Sequence, residues 1–571
     1  MFVSCVAERE PAGVAEGNSL PKPVETFGLA ALWRAYRACR KGKRHTRETQ
    51  RYEARLLDRL VSTRDALASF NWRPSRTLAF VVHRPKLREI HAATFSDRVV
   101  HHLLVDRLNR IVEPVFIHDS YANRLGKGTH AAVERLQRFM RQSVGAALAA
   151  NSRTGVAQRS IAGKPAPTRT GPSGPFALQL DIANCFNSIH RPTLFRLLQQ
   201  RLLRAVRRQG LDKDEARALQ SYCRALLAAD PTAQVRRQGS PSSFAQIPPH
   251  KRLGALGPTV GLPVGNLTSQ FFANVYLNEL DQFVKHTLKA RYYVRYVDDF
   301  VLLHADPAVL IDWRQRIVAF LAEHLRLKLK ELPEPQAIAD GVDFLGYVIR
   351  PSHCVLRRRV IAHFHQRLAA FQHAHVRANA LRLPPAARDR LRAQLASFLG
   401  HCRHASAERV WQKTLLRFPW LSTLFEAPEN ALRGLPLRPA WTATTVSGLA
   451  GQTRTLRQRN PDALLLVQVG NRWLLPVPRP GRSGFSRDKC PGSAIAAKAA
   501  PPKSTAGLGP CLEFRASDLA GVRRRLKRTG QAHALAAQTG HLKTGFKRRE
   551  LVLIWRPPGA PSFLSAARTA I

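Results

Sequence analysis

Apolar positions along the 571 residues switch between two periods, and each switch marks a change of element. Residues 26–70 set apolar side chains at helical spacing among many Lys and Arg, with the basic run Arg40–His45 interrupting two amphipathic stretches. Asn71-Trp-Arg-Pro-Ser breaks this pattern. Thr77–His83 then predicts a strand, Arg84–Ile90 a hairpin turn into the next strand, and Val99, Val100, Leu103, Leu104 and Leu108 a helix from about Ser96. The short apolar run Phe176–Asp181 predicts a strand ending at a carboxylate. Val294–Leu303 predicts two β-branched and aromatic strands joined by a tight hairpin. Leu321–Leu332 reads as helical then extended, Gly341–Ile349 as a strand pair, and residues 356–425 as basic amphipathic helices. Strands at Asp462–Val469, His533–Gln538 and Thr544–Trp555, with a helix at Ser517–Arg528, close the chain.

Two stretches have no such period. Residues 151–175 and 479–509 are rich in Gly, Pro, Ser and Ala, and the core Ile-Ala-x-Lys-x-Ala-Pro occurs in both. They read as one low-complexity element inserted twice and are expected to be disordered. The first falls in the loop before the Phe176–Asp181 strand, where an insertion is tolerable.

Composition narrows the partner. Lys+Arg number 90 against 39 Asp+Glu, a formal charge of +51 spread through nearly every segment. A chain that basic is expected to sit on polyanions, with salt-sensitive affinity, and the spread favours a long nucleic-acid channel over one patch. The apolar share of 44% suffices for real cores. The N-terminus lacks a basic region followed by an apolar core, and no apolar run reaches the ~18 residues of a membrane span, so no signal peptide and no membrane association are expected. Eight scattered cysteines without a Cys-x-x-Cys pair argue against a zinc site or disulfide framework and for reduced, cytoplasmic thiols.

The candidate chemistry lies in two acidic patches. Asp298 and Asp299 adjoin within the hairpin Tyr296-Val297-Asp298-Asp299, where neighbouring like charges repel unless something cationic compensates them. A turn pair would look the same. Asp181, at the end of another strand, changes the balance. A strand-end carboxylate facing a carboxylate-bearing hairpin suits a two-metal phosphoryl-transfer site, with cations roughly 3.5–4 Å apart. His130 and the pair His101-His102 are read as helix-face or capping residues rather than ligands.

Together the two patches resemble motifs A and C of reverse transcriptases, whose hairpin often reads Tyr-x-Asp-Asp. Phe95-Ser-Asp-Arg-Val-Val-His-His and Glu113–His130 are similar to the fingers of bacterial members, and the resemblance spans about residues 26–425. It implies an α+β right-hand polymerase: N-terminal helices and fingers at 26–150 after a flexible 1–25, a palm at 176–355 and a helical thumb at 356–430. It also implies an RNA-directed DNA polymerase using two Mg²⁺ ions, with an RNA template, a DNA or RNA primer and dNTPs as partners. By position Asp181 and Asp298 would hold the metals and Asp299 would support them. Arg88, with Arg84 or Lys86, would neutralise the triphosphate, for which charge-assisted contacts are suited. Phe186 matches the steric gate against a ribonucleotide 2′-hydroxyl. Gly261-Leu-Pro-Val-Gly265-Asn-Leu-Thr-Ser269-Gln270 matches motif B, which makes Gly261, Gly265, Ser269 and Gln270 contacts to template and nascent base pair. Gly341–Ile349 looks like the primer grip. Lys330 is the candidate general acid of motif D, although Leu327-Lys-Leu-Lys330-Glu-Leu departs from the usual Lys-Thr ending.

The Ser269-Gln270 ending differs from the Ser-Pro of group II intron enzymes and resembles the reverse transcriptases of diversity-generating retroelements. After an expected linker at 431–460, residues 461–556 resemble the DNA-contacting N-terminal domain of the MutS family, a small mixed α/β domain, followed by a tail at 557–571. Its Phe-x-Glu mismatch probe falls on Arg472 and Leu474, so a generic basic nucleic-acid platform is expected instead. A diversity-generating retroelement, with a retroelement accessory protein as further partner, is the expected setting. A phage-defence reverse transcriptase and an RNA-binding intron maturase or splicing factor are the alternatives.

Overall fold

The computed structural model describes residues 27–83, 86–153, 174–426, 428, 432, 435–476, 511–542 and 547–564. The expected flexible N-terminus and nearly all of both low-complexity stretches lie outside these residues. The architecture is α+β, and the chain forms two compact units, Met1–Val342 and Asp343–Ile571. No helix among the described residues is long and apolar enough to cross a membrane.

The first unit opens with helices Leu29–Arg40, Arg47–Glu53 and Leu56–Ala68, and the basic run 40–45 falls in the turn between the first two. Thr46 caps the second helix by accepting from the Thr49 N–H. Strands β1 (Thr77–Val82) and β2 (Arg88–Ala93) form the expected antiparallel hairpin, with Val82 opposite Arg88. Thr94 then caps helix Phe95–Val112, which buries Val99, Val100, Leu103, Leu104 and Leu108. A strand between the Phe176–Asp181 and Val294–Leu303 runs, β4 (Val235–Gln238), pairs in parallel with β1. Its Val-Arg-Arg-Gln sequence is mostly exposed, as an edge strand allows, and so has no apolar alternation to announce it.

The second sheet of this unit has the order β5-β6-β3-β7, from β5 (Tyr292–Tyr296), β6 (Asp299–His304), β3 (Phe176–Asp181) and β7 (Gln336–Ala337). Phe300, Val301, Leu302 and Leu303 are all buried, so β6 is covered on both faces. The central core gathers Leu178, Leu180, Phe300 and Leu302 with Leu277 and Leu280 of helix Leu267–Gln282 and Ile317 and Leu321 of helix Pro307–Leu325. Phe139, from helix Thr129–Arg153, packs on Tyr292 with ring centroids 5.3 Å apart. Buried packing thus flanks both sides of the sheet that carries the carboxylates.

From the unit boundary onward β8 (Val342–Phe344), β9 (Tyr347–Ile349) and β10 (Cys354–Leu356) make a separate three-stranded sheet, so the residues expected as one palm at 176–355 divide near 342. Helices Arg358–His375 and Pro385–Cys402 follow, with Phe364 stacked on Phe398. Between them lies a hairpin, β11 (Val376–Arg377) and β12 (Ala380–Arg382). Later strands are β13 (Leu464–Val469), β14 (Arg472–Pro476), β15 (Cys511–Arg515), β16 (His533–His541) and β17 (Lys547–Trp555), with helix Leu519–Arg528 before β16.

β12 pairs with β17, and one seven-stranded sheet β11-β12-β17-β16-β13-β14-β15 unites residues expected to form a thumb with residues expected to form a separate C-terminal domain. The expected linker is also packed. Trp441 is buried, and Gln452, in helix Leu449–Gln458, donates to the Lys547 carbonyl and accepts from the Arg549 N–H, each at 3.0 Å. A polar side chain that satisfies two strand groups leaves no apolar period in the sequence, which is why this segment looked like a connection.

Candidate active site

β3 and β6 pair so that Asp181 stands opposite Asp299, while β5 and β6 place Tyr296 opposite Asp299. Val297 and Asp298 therefore form the tip of a two-residue hairpin. Beyond the strand end the Ile182 N–H donates to the Asp298 carbonyl at 3.1 Å, which ties the turn to the exit of β3. Val297 has φ of 57°, a left-handed conformation that a β-branched side chain resists at a cost of about 1–3 kcal/mol. Surrounding contacts thus impose the turn against local preference.

The two leading carboxylates are half-buried, and both are shifted upward. Burial raises Asp181 first and the charge on Asp298 raises it further, against the pull of Lys330 and Lys86. Burial likewise raises Asp298, opposed by its own backbone N–H, Arg88, Lys86 and Arg295. An acidic pair that pays to ionise is suited to a divalent cation, because hard oxygen ligands and added positive charge remove that cost. The donor set therefore fits metal binding. Asp299 is engaged differently, since its Oδ1 accepts from Gln179 Nε2 at 3.0 Å. Among the described residues no three metal-ligating side chains converge, so Asp299 does not join the other two in one cluster.

Other expected residues fall at different distances from this pair. Lys86 and Arg88 are exposed, and their charges act on both carboxylates (Lys86) or on Asp298 (Arg88). Arg84 lies outside the described residues. The Lys330 N–H donates to the Asp181 carbonyl at 2.8 Å and the Ala183 N–H to the Lys328 carbonyl at 2.9 Å, so an extended segment 328–330 runs beside the end of β3. Lys330 Nζ pairs with Glu331 Oε1 at 2.9 Å, an exposed contact that raises the ammonium pKa.

Phe186 is half-buried in the short helix Cys185–Ser188, which the left-handed Asn184 introduces. Its carbonyl accepts from the Leu262 N–H at 2.8 Å, docking the glycine loop on the segment after Asp181. That loop also reaches β2: the His91 N–H donates to the Val264 carbonyl, and Asn266 bonds the Ala93 N–H and the His91 carbonyl. Gly265, at φ of 118°, would bring a Cβ within 2.7 Å of Ile90 Cγ2, and Gly261, at φ of 91°, within 2.8 Å of Leu256 Cδ1. Packing and backbone conformation therefore both require glycine at these two positions.

Ser269 is buried and lines a cavity of about 260 Å³ with Asp97, His101 and Arg191, whereas Gln270 is half-buried. Burial drives the His101 pKa down to about 3, so this histidine is a neutral core residue. In the second unit, Arg472 Nη1 pairs with Glu513 Oε1 at 2.6 Å and Leu474 is buried, so Leu474 does not project from the sheet as a probe would.

Sequence reasoning missed Gln179, which holds Asp299, and Arg295, which lies beneath the hairpin. The available signal for Arg295 was a lone cation in the middle of the apolar strand Tyr292–Tyr296.

Residues 82–349 match the family model described as "Reverse transcriptase (RNA-dependent DNA polymerase)", just under half of the chain. No curated protein matches the chain. Similar solved structures include telomerase from Candida albicans with a fragment of telomeric RNA, at 11% identity and a TM-score of 0.32, covering 62% of this chain and 60% of that one. A partial Cas6-RT-Cas1–Cas2 complex gives 15% identity and a TM-score of 0.26, covering 52% and 42%. Apo telomerase from Candida tropicalis gives 10% identity and a TM-score of 0.32, covering 52% and 53%. The chain thus spans about 42–60% of the length of these structures. Over residues 82–349, the stretch that holds Asp181 and the Tyr296–Asp299 hairpin, the chain carries a reverse transcriptase domain.

Proposed function

We propose that the protein is an RNA-directed DNA polymerase that extends a primer on an RNA template. The observation that carries this is the half-buried pair Asp181 and Asp298, locked across a strand end and faced by the exposed cations Lys86 and Arg88. Asp181 and Asp298 would hold divalent cations, with Mg²⁺ the proposed ion, which would supply charge neutralisation and lower the cost of ionising the attacking hydroxyl. The primer 3′-hydroxyl gives up its proton to solvent and attacks the α-phosphorus of a dNTP in line; a new P–O bond forms, the bond from that phosphorus to the oxygen bridging the α- and β-phosphates breaks, and pyrophosphate departs. Lys86 and Arg88, with Arg84, hold the triphosphate, Phe186 excludes a 2′-hydroxyl, and Lys330 gives a proton to the leaving pyrophosphate. Asp299, held by Gln179, supports the field around the pair. Gly261 and Gly265 shape the loop under the nascent pair, and Ser269 and Gln270 act on the template side. Catalysis is chiefly positioning and electrostatic stabilisation.

In the same proposal residues 26–150 act as N-terminal helices and fingers, the β3–β6 sheet as palm and 356–430 as thumb. The basic helix Leu519–Arg528, with Arg523, Arg524, Arg525, Lys527 and Arg528, belongs to a MutS-like nucleic-acid platform. The Ser269-Gln270 ending and that platform support a place in a diversity-generating retroelement. The buried free thiols Cys39, Cys185, Cys223, Cys354, Cys402 and Cys511 support a cytoplasmic setting.

The test is synthesis by purified full-length protein on an RNA template with a DNA primer, dNTPs and Mg²⁺. Template-length cDNA is expected, and synthesis only on DNA templates would refute the assignment. Sequencing the cDNA tests the role, because changes concentrated at template adenines are expected of diversification, and uniform fidelity would favour defence or intron splicing.

A further inference from the structure

Arg295 is wholly buried, and its guanidinium has five N–H groups to satisfy. Nε donates to Asp281 Oδ1 at 2.7 Å, and Nη2 to Asp281 Oδ2 at 2.5 Å and to Ser120 Oγ at 3.0 Å. Nη1 donates to the Val297 carbonyl at 2.9 Å and, more weakly, to Asn274 Oδ1 at 3.4 Å. Every donor has an acceptor. Asp281 also accepts from the Tyr293 hydroxyl at 2.8 Å. Through its main chain Arg295 donates to the Asp119 carbonyl and accepts from the Tyr121 N–H. One side chain therefore joins helix Leu267–Gln282, the 119–121 segment and the catalytic hairpin.

A buried ion pair is a poor stabiliser in itself, since well-packed apolar residues can often replace it without loss. Its geometry suggests another use. The Val297 carbonyl and the Asp298 N–H belong to one planar peptide group, so fixing the carbonyl fixes the N–H. Asp298 begins at that same peptide group, so its side chain leaves the hairpin from a backbone atom whose plane the Arg295 contact holds. Val297 is also the residue held at positive φ, so the peptide would swing toward another conformation if released.

We propose that Arg295 is a positioning residue that acts through the Val297 carbonyl to hold the Asp298 carboxylate in its metal-binding orientation. This rests on the polymerase reading above. A lysine cannot replace it, because three donors on a single nitrogen cannot span Asp281, Ser120 and Val297.

The experiment uses the full chain and the double variant R295Q/D281N, which removes both buried charges, beside R295K, which retains the pair. Melting temperature, template–primer affinity, Mn²⁺ affinity by titration of free Mn²⁺, and the Mg²⁺ dependence of extension are measured. Both variants are expected to keep duplex affinity while the Mn²⁺ dissociation constant and the Mg²⁺ half-saturation rise about tenfold, the size of effect seen for groups that orient metal ligands. Adding V297G, which tolerates the turn without a prop, should recover part of the shift. Mn²⁺ affinity equal to the parent's in the folded fraction of both variants would overturn the positioning role. Parallel D298A separates the two claims: a parent without RNA-templated synthesis refutes the polymerase reading itself, whereas an active parent and inactive D298A beside unshifted Arg295 variants refute only this inference.

Discussion

Asp181 faces Asp299 directly across the β3–β6 pairing, and the next N–H along the chain, on Ile182, is bonded to the Asp298 carbonyl. The placement of Asp181 beside the hairpin carboxylates is thereby set by strand register, and a one-residue slip would move Leu178 and Leu180 from the face on which they are buried to the opposite one. The energetic burden falls on the carboxylates, and it can be measured.

Asp298 is raised in the folded protein, so without metal its ionisation opposes folding. Its contribution is most favourable below the ordinary carboxylate pKa of about 4 and is lost as pH rises through the raised folded value. Asp298→Asn should therefore melt higher than the parent in chelator, with a difference that grows as pH rises from about 4 toward neutrality. Mg²⁺ at neutral pH should raise the parent's melting temperature more than the variant's. A pH-independent difference would contradict the assignment.

Phe186 is expected to gate the sugar. Phe186→Ala should raise the ratio of ribonucleotide to deoxyribonucleotide incorporation by more than about tenfold in single-nucleotide extension, in the range that pocket size alone discriminates. An unchanged ratio would return Phe186 to a purely packing role.

Gly265→Ala places a Cβ 2.7 Å from Ile90 Cγ2 at a backbone φ of 118°. A loss of about 1–3 kcal/mol in urea unfolding is expected. Combining it with Ile90→Ala should recover only the steric part, so the two costs should be non-additive. Strict additivity would argue that the loop and β2 do not pack as described.

Lys330 is tethered by its main chain to Asp181 while its ammonium pairs with exposed Glu331. If it protonates the leaving pyrophosphate, Lys330→Ala should slow single-turnover incorporation about 100-fold with unchanged dNTP affinity. An unchanged rate would leave it a solvated strand-end lysine.

Much of the site was legible because its chemistry is local. Asp181, Val297, Asp298 and Asp299 sit at the ends of short apolar runs that announce their strands, while the β1–β2 hairpin follows from its own extended run and helix Phe95–Val112 from helical spacing. What escaped depends on contacts between distant residues. Arg295 reads as an anomaly until Asp281 and Ser120 are seen around it, and Gln179 has no visible task until Asp299 lies diagonally across the sheet. The motif-B glycines were read as contacts to template and nascent pair, and the structure adds a steric demand for glycine that the sequence did not announce, from Ile90 beside Gly265 and Leu256 beside Gly261. The 431–460 segment hid for a related reason, since Gln452 binds β17 with its amide rather than an apolar face.

The most direct test of the central claim is primer extension on an RNA template by full-length Asp298→Ala, with template–primer affinity measured on the same preparation. Loss of detectable cDNA with affinity close to the parent's is the predicted result. Full-length cDNA from this variant at the parent's rate would contradict the metal-binding role of the hairpin.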